Sequence, residues 1–460
     1  MSDFDRVVNE KGSQMKSRSI SIGFLAVSAI VLSGCASAAP QSEQIGEGGE
    51  TLTIWWHKGI AAAEDEAAKQ ILEDWAAESG NSVSVNFIVN EDLPTKITGA
   101  EQGGNLPDLA FTSYGDAQLL PRLAADGSLA DVTDVVDEIR DDLIPVSIES
   151  IPTGADGELL AVPIKLQSFH SYYRTDLTEE AGMPEEVPGD WEGFWDYFAE
   201  AQDNLAAEGK EVYATGLPAS TTTDDADYVL IWLFNAFGAQ LLNEEGEPQN
   251  TTAVRDAVAA SFDFQKDLYD SGREPSAAIS WGGVDNNNEL ERGSLIMTPN
   301  PGLSIPAGAR TANPEYFDSL AIAPWPTSPS GDSIDVPVQV KTGVVFESSE
   351  NQELAKDLLR YLTEPENLQV YMEAANGIYL PVNTTQWENP YWESDRFLTA
   401  AKAEILAGNA ANWPFVVNPA FSEVLTQKVL TRALGEVMLG TKTSEVAAQE
   451  VLDQIESIVG

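Results

Sequence analysis

From residue 51 onward the chain alternates short runs of β-branched and aromatic residues with longer runs of helical spacing, which restricts the fold more than any other feature. Thr51–Trp56 reads as a strand, Ala61–Ser79 as a helix stopped by Gly80, Ser82–Val89 as a second strand and Leu93–Gln102 as a second helix. Pro107–Thr112 adds a short third strand, and Asp116–Ala125 a third helix closed by Asp126-Gly127. Strands alternating with helices build βαβ units, so the expected class is α/β with a mostly parallel sheet. Further on, 158–165 and 336–346 are apolar and extended. The stretches 191–207, 227–238 and 252–271 are helical, the first with Asp190 as its N-cap. From Asn351 to the end the pattern is mostly helical, with loops near 376–394 and 408–420. The 460 residues suffice for two large lobes, and no fixed-period repeat or Pro/Ser-rich linker divides them. The lobes are therefore expected to be intertwined rather than strung in series.

The N-terminus departs from this pattern. Arg6, Lys11, Lys16 and Arg18 outweigh Asp3, Asp5 and Glu10, and an apolar run extends from Ile20 to Leu32. That run falls short of the roughly 20 residues a bilayer span needs. A basic segment followed by a short apolar one reads as a secretory signal over residues 1–34, with Met15 at the usual distance before the run. The run ends in Leu32-Ser33-Gly34-Cys35, which resembles a bacterial lipobox. In such a motif the cysteine thiol is lipidated and becomes the first mature residue, and Cys35 is the only cysteine in the chain. Acyl chains there would hold the protein at the membrane. Residues 35–50 are small, polar and Gly-containing, as a flexible tether requires.

Charge and cysteine content exclude several functions. With 25 Lys+Arg against 74 Asp+Glu, the net charge is −49, which opposes binding to nucleic acid or to an anionic lipid surface. One Cys and two His leave no disulfide framework, no thiolate cluster and little scope for a His-rich metal site. Neither a cofactor nor a metal is expected.

Five stretches, in this order and spacing behind the lipobox, resemble the extracellular solute-binding proteins of carbohydrate ABC importers. They are Thr53-Ile54-Trp55-Trp56, the "PD" strand Leu106–Phe111, and Leu160–Pro163 with the crossover Ser171–Leu177. The last two are Glu289–Pro299 (ELERGSLIMTP) and the helix from Leu354 to Pro365. Arg174 stands where the family's crossover usually has Asn, and Ile296 where it has Ala. The resemblance implies a two-lobed clamshell of the periplasmic-binding-protein kind, its discontinuous lobes joined by crossover strands. Lobe I would comprise 51–165 and 317–364, and lobe II 166–316 and 365–460. It also implies a sugar, expected to be an oligosaccharide, captured by hinge closure and delivered to the transmembrane permease subunits. The location implied is the outer face of the cell membrane, with the lipid anchor at Cys35.

In open α/β sheets ligands sit beyond the carboxyl ends of strands. That rule selects Trp56, His57 and Lys58 after the first strand, and Tyr114 and Asp116 after the third. A carboxylate can accept from two sugar hydroxyls, although Asp116 could equally cap the following helix. Gln167, at the hinge, offers an amide. From lobe II, Tyr228, Trp281, Asn300 and Trp413 are candidates: Trp281-Gly282-Gly283 suits a sugar-stacking platform, and the family presents aromatics near Tyr228 and Trp413. Tyr172-Tyr173 could suit iron, but the crossover pattern accounts for them. Asp285–Glu289 is rich in oxygen ligands but lacks the Gly and spaced Glu of a calcium loop, so it reads as a capped helix start.

The rival classes are a secreted glycoside hydrolase, a surface glycan-binding adhesin, and a binding protein for a polyamine or another small solute. A hydrolase needs two carboxylates across a sugar, and so acidic a chain offers many pairs. No nucleophile elbow, phosphate loop or dinucleotide fingerprint is present, and an enzyme is not expected. Replacing Cys35→Ser should move the protein from the membrane fraction to the soluble one on cell fractionation. Continued membrane retention would refute lipidation.

Overall fold

The computed structural model describes residues 42–89, 92–112 and 116–460. The signal segment, Cys35, the tether as far as residue 41 and Tyr114 lie outside the described residues. In chain order the strands are β1 (Glu43–Ile45), β2 (Thr51–His57), β3 (Ser82–Ile88), β4 (Leu109–Phe111), β5 (Val162–Gln167) and β6 (Phe169–Arg174). They continue with β7 (Tyr213–Thr215), β8 (Leu295–Pro301), β9 (Leu320–Ala323), β10 (Val336–Pro337), β11 (Gln339–Val345) and β12 (Ala410–Ala411).

Two main sheets form. The first has the order β1-β3-β2-β4-β11-β5 and the second β7-β8-β6-β9. In the first, β3, β2 and β4 are parallel, as βαβ units require, whereas β1, β11 and the β11–β5 pair are antiparallel. The sheet is thus mixed rather than mostly parallel. The cause is topological: β11 arrives from the second lobe and must enter against the direction of its neighbours.

Leu52, Ile54, Val83, Val85 and Leu109 pack the first sheet against the helix Ala62–Ser79. That helix starts where the Glu64 carboxylate accepts from the Ala61 amide at 3.1 Å. It stops at Gly80, whose φ of +73° is the left-handed conformation glycine adopts at least cost. The "PD" motif has a mechanical role. Asp108 accepts from the Thr53 amide and hydroxyl, both at 2.7 Å, and from Ser349 at 2.6 Å, tying β2 to the turn after β11.

The second lobe is built on aromatics. Tyr228 stacks on Phe169, Phe169 on Trp325, Trp325 lies 4.2 Å from Trp232, and Trp232 stacks on Trp191. The Trp325 indole donates to the Phe169 carbonyl at 2.8 Å, fixing the stack to β6.

The chain crosses between the lobes at Ser168, the single residue separating β5 from β6, and returns between β9 and β11. Two stretches lie elsewhere than the sequence reading placed them. Strand β9 pairs with β6 at the edge of the second sheet, where its backbone groups find partners. The helix Pro365–Ala374 carries Leu368, Tyr371 and Met372 into the core of the first lobe, and the chain returns to the second sheet with the helix Arg396–Leu406, whose Arg396 donates to the Leu320 carbonyl of β9. Asp285–Glu291 is a helix, and Asn286 at its start is buried, donating to Asn300 and to the Pro299 carbonyl.

At Gly343, in the middle of β11, an added Cβ would stand 2.7 Å from Leu359 and 2.9 Å from Phe111. Gly343→Ala should therefore cost about 1–3 kcal/mol through overpacking, read as a fall in the denaturation midpoint. An unchanged midpoint would show that the layer between β4 and its covering helix can yield.

Candidate functional site

A cavity of about 390 Å³ opens between the lobes, within the usual range of small-molecule sites. On the first-lobe side it is walled by the helix Asp116–Ala125, the turn Ser150–Ala155 and strand β11. On the second-lobe side it is walled by the segment 412–419. At its first-lobe end lie Asp116, Gln339 and Thr342, all buried. Neither Asp116 oxygen, nor Gln339 Nε2, nor Thr342 Oγ1 has a hydrogen-bond partner among the described residues. Unpaired buried polar atoms are costly, so four of them, on three residues of one cavity wall, mark the place where a polar ligand would complete the structure.

The register of β11 sets up this end. Lys341 lies opposite Lys165 on β5, and a bulge follows, so that Thr342 pairs with Pro163 and Ile164 is left over. Pro163 has no N–H to donate, and a proline is tolerated at a bulge on an edge strand such as β5. Both lysines are buried. Lys341 donates to Gln339 Oε1 at 2.7 Å, which orients the amide and leaves its NH₂ free. Lys165 Nζ lies 2.7 Å from His57 Nε2, donates to the Tyr371 hydroxyl at 3.2 Å and sits 3.4 Å over the Tyr379 ring.

Burial governs the charges here. It lowers Lys165 and Lys341 from the ordinary lysine value, while Glu64 draws Lys165 back up and Asp116 does the same for Lys341. His57 is held well below its ordinary value, by burial first and by Lys165 second. Burial pushes Asp116 up to about 6, against the pull of Lys341 and Thr112.

The other residues selected from the sequence are dispersed. Trp56 and His57 line a small void behind Thr342 and are packed against Phe111 and Tyr371, one layer beneath the cavity. Lys58 is exposed. Gln167 is half-buried at the end of β5, opposite Gln339. Tyr228 and Trp413 meet edge to face at 4.7 Å inside the second-lobe core, each with an unpartnered polar atom. Asn300 is consumed structurally, donating to Ser304 and accepting from Asn286. Trp281 is not an open platform: it is 5% exposed, and its ring fills the space a side chain on Gly216 would need. Asp116 is the first residue of its helix, with no hydrogen bond to the helix start, so the capping alternative is not the one adopted.

Sequence reasoning missed Gln339, Lys341, Thr342 and Lys165. A signal was present: two lysines inside strands otherwise rich in Val, Ile and Leu are anomalous, since buried lysines are rare without a task.

Comparison with known proteins agrees with this architecture. The family described as bacterial extracellular solute-binding protein matches residues 70–400. A maltooligosaccharide ABC transporter solute-binding lipoprotein of Streptococcus pneumoniae is 23% identical over 90% of this chain and 93% of its own length. Among solved structures, the GacH receptor of Streptomyces glaucescens, determined unliganded and with acarbose, superposes with a TM-score of 0.72 at 21% identity. That match covers 90% of this chain and 99% of the receptor. Maltose-bound T. maritima MalE3 superposes with a TM-score of 0.73 at 20% identity, over 89% of this chain and all of its own (100%). The fold is the two-lobed α/β clamshell.

A folded chain keeps the Asp116 proton up to about pH 6, whereas an unfolded aspartate releases it near 3.8. The folded state thus binds more protons in this window, and stability falls as pH rises from about 4 to 6, by on the order of 3 kcal/mol. Asp116→Asn should raise the melting temperature at pH 7.5 and change it little at pH 4. A variant equally or less stable than the parent at pH 7.5 would contradict an unpartnered, buried carboxylate.

Proposed function

Because the chain belongs to the bacterial extracellular solute-binding proteins, we propose that it captures a carbohydrate between its lobes and delivers it to an ABC permease. The observation that carries this reading is the wall formed by Asp116, Gln339 and Thr342, whose unpaired atoms face the interlobe cavity. A carboxylate accepting from two adjacent hydroxyls, an amide donating to a third oxygen and a hydroxyl able to do either make a donor–acceptor set for a vicinal diol. The names of the similar proteins point the same way, since they include binders of maltooligosaccharide and maltose.

Binding would follow hinge closure. Contacts already link the lobes on two sides: the Gln118 amide reaches Asp224 at 3.4 Å, and the Ser150 hydroxyl donates to Asn412 at 2.5 Å. A ligand that satisfies the orphaned atoms of the closed form binds that form better and shifts the population toward it. The permease would read the closed form, with Cys35 lipidated and the protein held at the outer face of the cell membrane. Capture without turnover is part of this reading. Asp116 is the only carboxylate among the described residues lining the cavity, whereas glycoside hydrolysis ordinarily uses two acids.

In a thermal-shift screen of neutral mono- and oligosaccharides, polyamines and amino acids, a sugar should raise the melting temperature. At a hundred times Kd the gain is about 2.7 kcal/mol. The same sugar should be recovered uncleaved, and Asp116→Asn should weaken its binding by about 1.5–3 kcal/mol. A shift with polyamines alone, or cleavage of the sugar, would overturn the assignment.

A further inference from the structure

Polarity is distributed unevenly along the cavity. Its polar atoms in need of partners gather at the Asp116–Thr342 end. From Asp116 the wall follows its helix through Leu120 to Ala124, about 12 Å at 1.5 Å per residue. Along that length the remaining surfaces are aliphatic: Leu120, Ala124, Ile151, Pro152, Val340 and Val416. Of the polar side chains in the rest of the lining, Ser150 and Asn412 are bonded to each other, and Thr153 is exposed to solvent. Phe415 is the only aromatic among the described residues of the lining. The candidate platform tryptophans are packed elsewhere: Trp413 against Tyr228, Trp56 against Phe111, and Trp281 beneath Gly216.

A fully hydroxylated oligosaccharide laid along this cavity would satisfy one end and strand its remaining hydroxyls against alkyl groups, at the cost of lost water hydrogen bonds. We infer that the cavity takes a short sugar bearing an apolar substituent, that is, an alkyl or aryl glycoside. Its sugar diol sits on Asp116, Gln339 and Thr342, and its aglycone lies along Leu120, Ala124, Ile151 and Val416. This deepens the carbohydrate reading above and rests on it. The aglycone would gain by leaving water for a surface that is largely alkyl.

The test is calorimetric and uses the sugar that the thermal screen identifies, as the free sugar and as its methyl, hexyl and 4-nitrophenyl glycosides. The hexyl and 4-nitrophenyl glycosides should bind at least ten-fold tighter than the methyl glycoside. Val416→Thr, which places a hydroxyl on the alkyl wall at nearly constant volume, should shrink that ratio several-fold. Ala124→Ser serves as a second, independent probe of the same wall should Val416→Thr fold poorly. Equal affinity for all the glycosides, or tighter binding of longer free oligosaccharides, would overturn the inference and leave sugar capture standing. If no sugar or glycoside binds at all, the carbohydrate reading fails and the inference falls with it.

Discussion

The pairing of β11 with β5 is the constraint on which the rest of the molecule depends. These two strands belong to the first sheet, yet β5 leads into a segment that crosses to the second lobe and β11 follows one that returns from it. Their register therefore sets both the hinge and the wall of the site. Lys341 stands opposite Lys165, the bulge at Pro163 follows, and Thr342 and Gln339 are thereby presented to the cavity. Two like charges facing one another in a buried pair would be destabilising alone. Here each ammonium has its own neutral partners: the Gln339 amide for one, the His57 imidazole and Tyr371 hydroxyl for the other.

This arrangement bears on why Asp116 has no hydrogen-bond partner within 3.5 Å among the described residues. Lys341 is near enough to attract its carboxylate but spends its bond on Gln339, so Asp116 is compensated only in part. The cavity wall thus carries polar atoms that solvent or a polar ligand would satisfy. The imbalance costs stability and favours binding, the familiar exchange at functional sites. Contacts between the lobes, through Ser150 and Asn412 on one side and Gln118 and Asp224 on the other, frame that wall without filling it.

The division of labour among aromatics is equally physical. A lobe with a four-stranded sheet of short strands has little β-branched surface to bury, and it gains its core from large rings instead. Trp191, Trp232, Trp325, Phe169, Tyr228 and Trp413 form that core as a run of stacked and edge-to-face pairs. Each such pair adds roughly 0.5–1.5 kcal/mol beyond the area it buries. Tyr228 and Trp413 were attractive as binding residues because aromatics recur in sugar sites, but composition cannot separate a ring that faces a ligand from one that faces another ring. Trp281 shows the same ambiguity: two adjacent glycines suggested an open platform, and the ring turned out to be seated under Gly216.

The α/β class, the strands over 51–57 and 82–88 and the helices over 62–79, 116–125 and 191–207 were legible in the sequence, because local periodicity and the capping residues Asp190 and Gly80 specify them without reference to the rest of the chain. Of the site, Asp116 was legible, since its position after a strand and before a helix is a statement about sequence alone. What only the tertiary structure decided was pairing between segments far apart: β9 with β6, the helix 365–374 with the first lobe, and above all β11 with β5. The sequence flags Lys165 and Lys341 as anomalous within their strands, but not that they are opposite one another or that Gln339 and Thr342 flank the same cavity. Register between distant strands is set by the summed packing of both faces, which no window of neighbouring residues contains.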